Sequence, residues 1–144
     1  MTYKSTDIAE YVLGYAYKLG YGINVLQLMS ILYFVQAQFL ASKNQRAFTE
    51  DIIAKDWCVF IEDVWKKYSI YCNAVIPTQI INFENVCKKI YHCDALLINQ
   101  IIDLIHGSSW KLMNIIRKQT PYINGLNNYP IFTITDTDMK KFFS

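Results

Sequence analysis

Apolar residues recur at helical spacing through most of this chain, and that rhythm predicts its elements. In residues 6–19, Ile8, Val12, Tyr15 and Leu19 share one face, while Asp7, Glu10, Gly14 and Lys18 share the other. Gly20 and Gly22 supply the stop. Asn24, with Gln27 three residues on, has the form of a capping box and opens a second helix that runs to Ser42. No charged residue occurs between Lys18 and Lys43, and the stretch from Ile23 to Ala41 is as long as a bilayer requires. Asn24, Gln27, Ser30, Gln36 and Gln38 fall inside it, however, and side-chain amides are costly in hydrocarbon. A helix surrounded by protein explains the pattern better than a membrane span.

Residues 43–56 are mixed and polar, which predicts a loop with one helical turn around Asp51 to Ala54. Phe60 to Tyr68 is amphipathic, with Ile61, Val64, Trp65 and Tyr68 facing inward. Its Glu62–Lys66 and Asp63–Lys67 pairs have the i,i+4 spacing, acid first, that favours a helix. Residues 69–82 hold Pro77 and alternate weakly, predicting irregular chain or a short strand. Phe83, Val86, Cys87, Ile90 and Tyr91 make a further inward face. Asp94 is the expected N-cap of a helix from Ala95 to Ile105, ended by His106-Gly107. Ser109 caps a short helix from Trp110 to Lys118, and Pro121 to Ile134 reads as loop with Asn124-Gly125 as a turn. Thr135 caps a last helix ending at Phe143. The whole predicts an all-α fold: one domain over residues 1–144, a compact bundle of six or seven helices around the long buried second helix, with room for one short irregular β segment.

Composition narrows the function classes. With 144 residues, 53% hydrophobic and 18% charged, the chain is set to fold as one domain and lies far from the disordered class. Fourteen Lys and Arg against twelve Asp and Glu leave a formal charge of +2, too small and scattered to make nucleic acid the default partner. The opening Met1-Thr-Tyr-Lys-Ser-Thr-Asp7 lacks the basic and apolar regions of a secretory signal, so a cytoplasmic location is expected. Cys58, Cys72, Cys87 and Cys93 are then expected as reduced thiols, mostly buried.

Few residues suggest chemistry. A metal site would draw on Cys87, His92 and Cys93 with Cys58, Cys72 or His106, but these lack the short paired spacing of structural zinc ligands, so buried cysteines are expected and no metal. Ser108 or Ser109 beside His106 offers a nucleophile and a base, yet a serine before Trp110 is already explained as a cap. Asp136-Thr137-Asp138 fits the first turn of a helix, where acids are favoured. The glycines include no phosphate-binding loop. Lys66-Lys67, Lys88-Lys89 and Lys140-Lys141 read as solvated faces, and only if they converged would they form a patch for DNA. Eleven Tyr, eight Phe and three Trp remain conspicuous, and Tyr11, Tyr15 and Tyr17 cannot all point inward from one helix.

Four ordered stretches carry a family resemblance. Asp7-Ile-Ala-Glu-Tyr-Val-Leu13 is similar to the opening helix of the Panacea, or SocA-like antitoxin, domain family, which includes the phage-associated GepA-type proteins. Leu26-Gln-Leu-Met-Ser-Ile-Leu-Tyr-Phe34 resembles that family's Leu-x-Leu-x-Lys-Leu-x-Tyr core, with Ser30 in place of Lys. Phe48-Thr-Glu-Asp-Ile-Ile-Ala54 leading into Val64-Trp-Lys-Lys-Tyr68 resembles its central block, with Lys55 for Trp and Cys58-Val59 for Gly-Pro. His106-Gly-Ser-Ser-Trp110, with Ile134 to Phe143, resembles its closing segments, Ser109 standing for Pro. The resemblance implies a non-enzymatic antitoxin without cofactor, which neutralises a co-encoded toxin by binding it and in some members presents it to a protease. The partner it implies is that toxin or another protein; no membrane is expected, the small charge disfavours nucleic acid, and homo-oligomerisation is left open. Regulation of its own operon by DNA binding is the alternative. Partner contacts are expected at Lys55 and Trp57, where the Gly-Pro region is altered, and at the exposed members of Tyr11, Tyr15 and Tyr17.

Overall fold

The long apolar segment forms the axis of the molecule. In the computed structural model, which describes residues 2–105 and 107–144, Asn24 and Gln27 make the expected reciprocal capping box: Gln27 N–H donates to Asn24 Oδ1 at 2.8 Å and Asn24 N–H to Gln27 Oε1 at 2.9 Å. The helix they open, α2 (Val25–Lys43), follows α1 (Ser5–Lys18) and closes on Asn44 in the left-handed conformation, φ 54°. Ile31, Leu32, Tyr33, Phe34 and Val35 are buried in succession, which a helix allows only when protein covers every side. The stretch has a mean hydropathy of 1.4, and 72% of it is buried within the fold. Its amides have partners: Gln36 Oε1 accepts from Ala47 and Phe48 N–H, and Gln27 Nε2 donates to Gly107 C=O at 2.7 Å.

Around α2 stand α3 (Glu62–Tyr68), α4 (Phe83–Lys89), α5 (His92–Leu104), α6 (Ser109–Arg117), α7 (Thr120–Leu126) and α8 (Asp136–Phe143), making eight α-helices among the described residues. Single 3-10 turns at 69–71 and 78–80 fill the stretch expected to be irregular. The β segment is a small antiparallel sheet, β1 (Ile52–Ala54), β2 (Val59–Phe60) and β3 (Thr133–Ile134), in the order β2-β1-β3. Ile53 lies opposite Phe60 on one side and Thr133 on the other.

Local assignments differ from expectation where distant contacts override near ones. Ile52 to Ala54 is strand and Asp51 irregular, with no helical turn, because β-branched Ile52 and Ile53 find ladders on both edges. The stretch from Pro121 to Ile134 holds α7 and β3, where a loop was expected. Pro121 occupies the first turn of α7, where its missing N–H costs nothing. Gly125 lies inside that helix: a Cβ there would come within 2.9 Å of Ile134 Cγ1 and 3.1 Å of the Ala54 methyl, so the residue serves close packing of α7 on the sheet. Gly14 likewise faces inward, since a Cβ would overlap the Phe83 ring at 2.2 Å, whereas Leu19 is exposed. Helix α5 starts at His92, ahead of the expected Asp94 cap, and Ser108 caps α6 in place of Ser109. Of the cysteines only Cys58 is buried; Cys72, Cys87 and Cys93 are exposed, Cys87 because the short α4 turns Val86 inward and leaves it outside.

Two polar arrangements pin the N-terminal segment. Asp94 is buried and accepts from Tyr3 Oη at 2.5 Å and from Lys43 Nζ. Burial pushes its carboxyl up, but the hydrogen bonds from Lys43 and Tyr3 outweigh it, so Asp94 sits below the ordinary aspartate range. Glu50 caps α1 from outside the helix, accepting from Ser5 N–H at 2.9 Å and from Ser5 Oγ. A third group is unsatisfied: the Tyr68 hydroxyl is buried and has no hydrogen-bond partner among the described residues. Tyr68→Phe removes that penalty, so stability is expected to rise by about 1 kcal/mol, and a thermal melt reading no change or a loss would contradict the assignment.

Candidate docking surface

The hairpin between β1 and β2 places the altered segment at the surface. Lys55 N–H donates to Cys58 C=O at 2.8 Å, closing a tight turn whose tip is Asp56 and Trp57. From behind, Tyr122 on α7 donates its hydroxyl to the Lys55 carbonyl, and Ala54 N–H donates to Phe132 C=O at 2.8 Å. The tip is therefore anchored to the sheet and to α7, and its side chains are presented from a fixed base. Burial raises the Tyr122 phenol to about 12, the charges of Cys58 and Asp56 add to the rise, and Arg117 opposes it. Burial also pushes the Cys58 thiol up, against the pull of Lys55, which keeps it protonated and inert at neutral pH.

Trp57 is 50% exposed and Trp65 is 37% exposed. Together with Leu26, Met29, Phe60 and Phe132 they border a groove of about 440 Å³. The Phe60 and Trp65 rings lie 5.9 Å apart, and Lys55 Nζ sits 4.7 Å from the centre of the Phe60 ring. Lys55 and Trp57, both anticipated, thus fall in one groove. Phe60, Trp65 and Phe132 were not anticipated as part of it. Phe60 reads as the first residue of an amphipathic helix and Trp65 as part of its inward face, but α3 begins after Phe60 and leaves Trp65 37% exposed at the rim. Phe132 lay in an expected loop and gave no periodic signal; its positive φ of 65° aims it away from the regular strand that follows.

The three tyrosines separate. Tyr11 is buried and donates to Asn99 Oδ1 at 2.6 Å, which removes it from any partner surface. Half-buried Tyr15 donates to Asp103 Oδ1 at 3.1 Å and stacks on Tyr11 with ring centres 6.3 Å apart. Both hydroxyls therefore dock α1 on α5. Tyr17 alone is well exposed, at 64%, and borders a separate hollow with Gly20, Val75 and Pro77.

The remaining candidates resolve into structural roles or fall elsewhere. Among the described residues no three His, Cys, Asp or Glu side chains gather at metal-binding distance, and His106 lies outside the described residues, as does its pairing with Ser108 or Ser109. Ser108 Oγ accepts from Lys111 N–H at 3.2 Å as a cap. Asp136 takes a two-pronged hydrogen bond from Arg46, and Thr135 Oγ1 caps Asp138 N–H at 3.2 Å. Four of the six doublet lysines meet acids or amides: Lys66 pairs with Glu62, Lys67 with Glu10 at 2.8 Å, Lys89 with Asp7 at 3.5 Å, and Lys140 reaches Asn44.

Comparison with protein-family models, with curated proteins and with solved structures finds no match for this chain.

Proposed function

We propose that the chain is a non-enzymatic protein-binding module of the antitoxin type, which neutralises a toxin encoded beside it by direct binding and belongs to a phage or mobile element. The observation that carries this reading is the aromatic groove beside the 55–58 hairpin, in which Trp57 on a braced turn and Trp65 on α3 are both held partly in water. Large rings kept at a fixed position gain area on contact while losing little conformational entropy, which is why such residues dominate binding energies at protein interfaces. The toxin-specific part rests on the four ordered stretches that resemble the SocA-like family.

Co-expression with the product of the adjacent reading frame tests the reading. A complex that co-purifies, together with restored growth, is expected. Trp57→Ala should weaken that complex by roughly thirtyfold, the loss of an interface hot spot of about 2 kcal/mol, while the thermal midpoint stays unchanged. No complex and no rescue of growth would overturn the proposal.

A further inference from the structure

We draw no further inference here: the strongest candidate, the outer face of α6, where exposed Trp110 and Ile115 stand on a helix that carries Lys111 and Arg117 and no acid, carries nothing, because nothing in the structure shows what covers it.

Discussion

Gln36→Leu, although it makes α2 more apolar, is expected to destabilise the protein by about 3 kcal/mol. The Gln36 side chain is buried and holds three backbone groups of the segment that leaves α2: its Oε1 accepts from Ala47 N–H at 2.8 Å and Phe48 N–H at 3.1 Å, and its Nε2 donates to Phe48 C=O at 3.1 Å. Leucine satisfies none of them. Each buried group left unpaired costs about 1–3 kcal/mol, and the added apolar burial offsets only part of the sum. For a domain of this size the thermal midpoint should fall by roughly 6–12 °C. A melt within a degree of wild type would show that water or a shifted loop satisfies those groups and that Gln36 is not the brace of this segment.

Asp94→Ala is the second large effect. The substitution leaves Lys43 and the Tyr3 hydroxyl facing a buried gap at the junction of the N-terminal segment, α2 and α5. Removing one member of a fully buried pair costs about 3–5 kcal/mol. Lys43 keeps 30% of its side-chain exposure, which screens the pair and brings the expected loss to about 2–3 kcal/mol. The pH dependence has a definite sign. Because the folded-state pKa of Asp94 is depressed, its stabilisation is complete above the ordinary aspartate value of about 3.9 and is lost as pH falls through the lowered value. Urea unfolding of wild type and Asp94→Ala should therefore differ most near neutrality and converge in acid. A difference that persists unchanged below that range would assign the loss to packing alone.

How much of this was legible depends on the range of the interactions involved. Helix α2 was readable because its signals are local: the Asn24–Gln27 box, an unbroken apolar run, and amides whose presence pointed to protein neighbours. Thr135 and Asp138 marked α8 for the same reason. The sheet was not readable, because strands of two and three residues have no period, and Ile52 pairs with Ile134 from the far end of the chain. Asn124-Gly125 has the composition of a turn, and only the approach of Ala54 and Ile134 explains a glycine within α7. Asp94 looked like a cap because no local feature announces Lys43 and Tyr3 as its partners.

The same division holds at the candidate site. Lys55 and Trp57 drew notice as departures from a family pattern, a purely local signal, and they do stand together at a surface turn. The rest of the groove is assembled from α2, α3 and the loop before β3, so no window of sequence contains it. Three tyrosines on one helix cannot all point inward, but which of them stay outside was set by a distant element: Asn99 on α5 holds the buried Tyr11, and Asp103 takes the hydroxyl of half-buried Tyr15 at the surface.

Amide hydrogen exchange on the purified chain, alone and with the adjacent gene product, bears most directly on the idea that this protein works through its hairpin face. Slowed exchange concentrated in residues 54–60 and 129–134 is the expected result. Protection confined to the Tyr17 side, or an exchange pattern indifferent to the added protein, would contradict it.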